Sequence, residues 1–360
     1  MTSIVTAVLI AALAAGFIGY LNHFAVTPIQ PPSGEVSELP TQKSEPPTEL
    51  PTQGLSKTDT LSPKQETIVI IRPGESLGHI ASTLETSDVI TNRYLFIIFA
   101  RYRGSNKKIQ AGEYAFSGKD TPEKILDMLV KGKVKLHRLT IPEGLNLRET
   151  AALVEKSGFG TVENFMKLAT DRIFIESIGI KADSLEGYLF PETYLFPADT
   201  SSKKIIKSMV ERFNKIFIPE WRNICKQSGF TVHQIVILAS IIEKETGDAD
   251  EMPLISSVFH NRLKRGMRLE SDPTVIYGIK DFNGNITKKD LLSITPYNTY
   301  AIDGLPEGPI ANPGKLSLKA ALFPDKSEYI FFVSKKDTTH KFSKTLQEHN
   351  QAVRKYQLNR

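Results

Sequence analysis

Between residues 25 and 66 this chain carries Pro28, Pro31, Pro32, Pro40, Pro46, Pro47, Pro51 and Pro63 among Ser, Thr, Gln and Glu. A stretch of that composition buries too little apolar surface to offset its ordering entropy, so 25–66 reads as a disordered linker. Drawn out as polyproline at ~3 Å per residue, it reaches on the order of 100 Å. Everything that folds must therefore lie before or after it. Before it, residues 1–24 hold no Asp, Glu, Lys or Arg, and Ile4 to Leu21 is apolar apart from Thr6 and small residues. That run is long enough for a helix to cross about 30 Å of hydrocarbon. A cleaved signal peptide would carry a basic start and a small-residue cleavage site after the run. Met1–Ser3 has no Lys or Arg, and Ala12-Leu13-Ala14 sits inside the run. The expectation is an uncleaved single-pass transmembrane anchor over 1–24. Its orientation is weakly written, because the nearest Lys or Arg is Lys43.

The remainder is long enough for two domains. The chain is 40% hydrophobic and 24% charged, which excludes wholesale disorder and coiled coil. Its single cysteine, Cys225, excludes an intrachain disulfide, a four-cysteine zinc site and a CxxC redox pair. Residues 25–66 hold six acids against three lysines, so the whole-chain +5 leaves +8 for residues 67–360. That balance suits an anionic membrane, nucleic acid or an acidic polymer such as cell wall. An exported, tethered domain argues against nucleic acid.

Thr67–Arg72 is a β-branched run closed by Pro73-Gly74 and reads as a strand. Ile80, Ala81 and Leu84 follow at helical spacing, then Tyr94–Tyr102 as a second helix and Ala111–Phe116 as a second strand. Thr121-Pro122 opens another helix that Gly132 ends. The strand–helix–helix–strand order, with PGESLGHIASTL after the first strand, resembles a LysM-like glycan-binding module over 67–138. A larger mixed α+β domain is expected over 139–360, beginning with Pro142-Glu143-Gly144 and a helix from Leu147. YIFFVSK and HKFS read as a late hairpin.

The chemistry-bearing signals lie between Leu185 and Pro313. SLEGYLFPETYLFP (184–197) sets Tyr188, Phe190, Tyr194 and Phe196 beside carboxylates, as sugar rings require, though a core strand reads the same way. HQIVILASIIEKETG (233–247) is an apolar helix ending in charge. At ~100° per residue, Glu245 falls in the bulky arc with Leu238, Ile241 and Ile242, where burial or pairing is expected. Glu243 caps the opposite face of Val236, Ala239 and Ser240, over which a polymer could approach closely. A carboxyl at the end of an apolar helix is desolvated toward general-acid range, although a solvated helix terminus has the same sequence. Next come a basic helix, SVFHNRLKRG, an Asp272-Pro273 turn and a long Gly/Pro loop over Tyr297–Gly314. No HExxH is present, and His233, His260, His340 and His349 lack ligand spacing, so neither metal nor cofactor is expected. His340 and His349 read as strand or helix caps.

Six segments, LEGYLFPETY, ASIIEKET, FHNRLKRGMRLESDPTVIYG, YNTY, GLPEGPIANPG and HKFSKTLQEHN, resemble in order and spacing the YceG-like (MltG) family of endolytic murein transglycosylases. The resemblance covers roughly residues 67–355. It implies a lyase that cleaves the glycan between N-acetylmuramic acid and N-acetylglucosamine. One carboxyl protonates the bridging oxygen, and the C6 hydroxyl closes on C1 to leave a 1,6-anhydro end. It implies Glu243 as that carboxyl, with Glu192, Tyr188, Asp272, Tyr297, Asn298 and Tyr300 binding glycan or orienting the acid. It further implies a domain on the extracytoplasmic side of the cell (inner) membrane, next to peptidoglycan synthases, ending the growth of nascent strands. Two other functions fit the same residues. One is a non-catalytic wall-binding protein. The other is a hydrolytic muramidase, which needs a second carboxylate about 5–9 Å from the first. Glu186, Glu192 and Asp272 are the candidates for it.

Overall fold

Local signals set most element ends. The computed structural model describes residues 2–28, 66–280 and 282–358. It divides into two compact units, residues 1–137 and 138–360. In the first, α1 (Thr2–Val26) is followed by β1 (Glu66–Ile71), α2 (Leu77–Thr86), α3 (Arg93–Tyr102), β2 (Gly112–Ser117) and α4 (Pro122–Lys131). Ser76, Asn92 and Thr121 cap α2, α3 and α4, each side chain accepting a backbone N–H from the first turn. Gly132 ends α4 at φ +61°, a left-handed conformation that Gly adopts without the Cβ penalty.

Strands β1 and β2 pair antiparallel, with Val69 opposite Tyr114. Val69 and Ile71 point inward with Tyr114 and Phe116, and meet Ile80 and Leu84, Phe96 and Phe99, Ile125 and Leu129. Leu21 and Ala25, in the last turns of α1, are buried in this same core. Here the end of the expected anchor touches the small unit and is not held off from it. The side chains of residues 1–13 lie outside the described residues, and the linker does so over 29–65. Among the described residues no helix is long and apolar enough to cross a membrane.

The second unit runs β3 (His137–Thr140), α5 (Leu147–Lys156), α6 (Val162–Ala169), α7 (Arg172–Ser177), β4 (Thr193–Phe196), α8 (Ser202–Ile216), α9 (Pro219–Ser228) and α10 (Val232–Glu245). It continues with α11 (Met252–Lys264), α12 (Asp272–Gly278), α13 (Lys288–Leu292), α14 (Lys315–Leu322), β5 (Phe331–Ser334), β6 (His340–Ser343) and α15 (Leu346–Tyr356). The fold is mixed α+β with short two-stranded sheets, β3 with β4 and β5 with β6. Helix α10 is its axis. Every residue from Ile235 to Ile242 is buried, and α14, α11, α12 and α9 pack around it. The β5–β6 hairpin lies over α11, with the Phe332 ring edge-on to Phe259 at 5.8 Å.

Two expectations change here. The small-residue face of α10 is not open to a polymer, because Ser240 accepts the backbone N–H of Ile310 at 3.0 Å and α14 covers the rest. Asp272-Pro273 is not a free turn but the first turn of α12, where proline's missing N–H costs nothing.

Candidate functional site: the carboxyl end of helix α10

Helix α10 starts at a capping box between Thr231 and Gln234 and stops when Thr246 turns extended. Its two terminal carboxylates, two residues apart, enter different surroundings. Glu243 turns toward α14. Its Oε2 accepts the backbone N–H of Gly314 at 2.9 Å and the hydroxyl of Ser317. Glu143 lies beside it, its carboxyl pushed above the ordinary range by burial and then by the Glu243 charge. Lys244 donates to the carbonyl oxygen of Gly144 at 3.2 Å. Glu243 thus ties α10 to the start of α14, and Lys244 ties it to the 142–146 turn.

Glu245 turns the other way. Ser271 donates its hydroxyl to Oε1 at 2.5 Å. Burial raises the Glu245 pKa to about 7; the Ser271 hydrogen bond works against the rise, Asp272 adds to it, and Arg262 opposes it. Arg262 is itself buried. It donates to the carbonyl oxygens of Ile330 at 2.7 Å and Leu269 at 3.0 Å and to the Glu270 carboxylate at 2.9 Å. These bonds hold 268–271 in a tight loop in which Glu270 adopts φ +50°, a strained value for a non-glycine residue. Thr299 fixes the next residue by accepting the Ser271 N–H at 3.0 Å. Asp272 then opens α12, and its Oδ1 accepts the Tyr300 hydroxyl at 2.6 Å. Burial first, and Asp272 second, push the Tyr300 phenol well above its usual range.

Glu245 also lines a cavity of about 720 Å³, with Thr246, Asp248, Ser334, Thr338 and His340. A second cavity of about 730 Å³, bounded by Arg172, Lys181, Asp183, His233 and Glu307, contains none of this group. Among the described residues, no cluster of three or more His, Cys, Asp or Glu is placed to hold a metal.

Another buried carboxyl lies on the same unit. Glu186 is 3% exposed, and its Oε2 accepts the Leu147 N–H and the Tyr277 hydroxyl, each at 2.9 Å, while Oε1 has no partner. Burial raises its pKa to about 7. The Tyr277 ring meets Tyr297 at 4.7 Å between centroids, and Tyr297 stands over Gly278 and Gly308.

Of the residues singled out from sequence, Asp272 and Tyr300 join Glu245. Asn298 supports them from behind. It is 1% exposed and donates to the carbonyl oxygens of Asp290, Leu291 and Ser293 at the end of α13, while its Oδ1 accepts the Tyr300 N–H. Tyr297 belongs to the Glu186–Tyr277 cluster. Tyr188 is core: its hydroxyl bonds His233 Nδ1 at 2.8 Å, and its ring meets Phe213 edge-on. Glu192 is ion-paired with Arg212 of α8. Phe190 and Phe196 are buried as well, so the aromatic segment 184–197 offers no open sugar platform there. Sequence reasoning passed over Ser271, Arg262 and Glu143. It placed Glu245 among bulky neighbours but set it aside for that reason, although burial is what shifts its carboxyl.

Burial thus leaves one carboxyl able to hold a proton near neutral pH on the wall of an accessible cavity, beside a second carboxylate and a phenol, on an α+β scaffold. A sequence model of the YceG-like family matches residues 69–355, and the chain belongs to that family. Among its relatives, the endolytic murein transglycosylase of Bacillus subtilis is 36% identical over 304 residues, 79% of this chain and 83% of that protein. The endolytic murein transglycosylase of Streptococcus pneumoniae (strain D39) is 30% identical over 302 residues, 75% of this chain. The match spans 54%, about half, of that longer relative. A crystal structure of a yceG-like protein from Listeria monocytogenes, 35% identical, superposes with a TM-score of 0.55 over 80% of this chain and 99% of that one.

Proposed function

We propose that this chain is an endolytic murein transglycosylase, and that Glu245 is its general acid in place of the Glu243 that the sequence suggested. What carries the second part is the environment of Glu245: a carboxyl raised to about 7 that also faces a cavity. A group of that pKa holds a proton near neutral pH and releases it readily. Because Ser271 donates to Oε1, the proton resides on Oε2. Transferred to the oxygen between N-acetylmuramic acid and N-acetylglucosamine, it allows the C1–O bond to break. As the muramic C6 hydroxyl closes on C1, its proton returns to Glu245, so one carboxyl completes the cycle. Tyr300 and Asp272 keep a fixed hydrogen bond beside it and orient the loop that carries Ser271.

Hydrolysis is the second reading, and one observation favours it: a second carboxylate, Asp272, adds to the rise in the Glu245 pKa. The same assay separates the two. Glycan strands incubated with full-length protein give products lighter by one water than hydrolytic ones if transglycosylation occurs. Mass spectra of wild type, Glu245→Gln and Glu243→Gln should show those products from wild type and from Glu243→Gln, which keeps an acceptor for Gly314 and Ser317. Glu245→Gln should yield none. Cleavage by Glu245→Gln together with silence from Glu243→Gln would return the acid to Glu243.

The wider reading comprises a membrane anchor over 1–24, an extracytoplasmic catalytic unit, a LysM-like small unit that grips glycan, and nearby peptidoglycan synthases whose strands it terminates. The apolar N-terminal run, the strand–helix–helix–strand order and the basic charge of 67–360 support it.

A further inference from the structure

His340 opens β6, and Glu251 at the start of α11 holds it twice. One carboxylate oxygen accepts the His340 backbone N–H at 2.9 Å, and the other meets ring Nδ1 at 2.7 Å. Two bonds from one carboxylate to one residue fix the ring's orientation. The carboxylate engages Nδ1, which leaves Nε2 free to bond elsewhere. Phe332 stands edge-on to the ring at 5.4 Å and blocks rotation. Nε2 has no partner among the described residues, yet it is not one of the buried, unpartnered atoms. It is therefore accessible, and His340 lines the cavity that Glu245 and Asp248 also line.

His260, by comparison, bonds Nε2 to the Ala321 carbonyl oxygen at 2.9 Å, packs its ring against Phe230 and lines neither cavity described above. His340 is built differently: one nitrogen is anchored by a carboxylate and the other is left facing an accessible cavity.

We propose that His340, held by Glu251, is a glycan-contacting residue of the Glu245 cavity, hydrogen-bonding through Nε2 to a sugar hydroxyl or acetamido group. It is more than the strand cap its sequence position suggested. The proposal rests on the reading that this cavity takes the glycan, and its test does not depend on turnover.

The experiment uses full-length Glu245→Gln protein in detergent, with isotope-labelled histidine, titrated with purified glycan strands freed of stem peptides. Saturating glycan should move the His340 Nε2 nitrogen resonance. Adding His340→Gln should weaken glycan binding about tenfold, the worth of one good hydrogen bond. An unmoved Nε2 signal at saturation overturns the proposal, whether or not the His340→Gln protein folds. Residual cleavage by Glu245→Gln would refute the acid assignment while leaving the resonance shift as a measure of contact.

Discussion

Glu245→Gln should make the protein more stable at neutral pH while silencing it. The carboxyl is raised from 4.5 to about 7, mainly by burial, so the fold binds its proton more tightly than the unfolded chain does. Between those two values the native state keeps the proton and the unfolded state has lost it, so stability falls as pH rises from about 4.5 to about 7. At ~1.4 kcal/mol per unit the full loss is about 3 kcal/mol, nearer 2 once the side open to the cavity is allowed for. Glutamine is isosteric, stays neutral and still accepts from Ser271. It removes the penalty at pH 8 and changes nothing at pH 4. For a unit of this size the pH 8 gain corresponds to roughly 4–8 °C in melting temperature. Thermal unfolding of both proteins across pH 4–8, followed by near-ultraviolet circular dichroism, measures it. Glu186, which titrates in the same window, is common to both and cancels in the difference. Parallel curves with no growing gap would show that Glu245 is ordinarily acidic, and the case for it as the acid would fall with them.

Other perturbations have definite outcomes. Gly187→Ala puts a Cβ 2.7 Å from Pro309 and from Val236 at φ +82°, so a loss of about 3 kcal/mol or more and a collapsed melting transition are expected. Asn312→Ala strips acceptors and donors from Leu189, Leu145 and Thr150 in a fully buried position, costing roughly 2–3 kcal/mol in urea titration. Thr121→Ala removes the α4 cap and should cost the small unit about 1 kcal/mol without touching turnover. Tyr300→Phe breaks the bond to Asp272 and should lower turnover about tenfold with the melting temperature unchanged.

Elements governed by their own few residues were legible in the sequence: the Thr121–Gly132 helix, the β1 and β2 strands, and the HKFS hairpin. The site was half legible, and the reason is long-range covering. Whether the small face of α10 lies open depends on α14, about seventy residues downstream, and nothing in ASIIEKET records that neighbour. Asp272 and Tyr300 could be picked out as polar groups in motifs. Their meeting, and the Arg262 bonds that shape the loop between α11 and α12, required the tertiary fold. The aromatic segment 184–197 misled for a related reason. Rings that would suit a sugar equally suit a core, and Tyr188 found His233 and Phe213 first.

The bonds that assemble the region join distant parts of the chain: Ser240 with Ile310, 70 residues apart; Leu189 with Asn312, 123 apart; Asn312 with Leu145, 167 apart. Loops of that length close slowly, and none can close before residue 310 is available. A chain still emerging, or clipped near residue 300, leaves α10 with its apolar length uncovered and its terminal carboxyls unplaced. Competence is thus conferred by the segment around residues 310–317, in a folding step that waits for it. A partly made copy would be aggregation-prone and silent, never a weakly active enzyme.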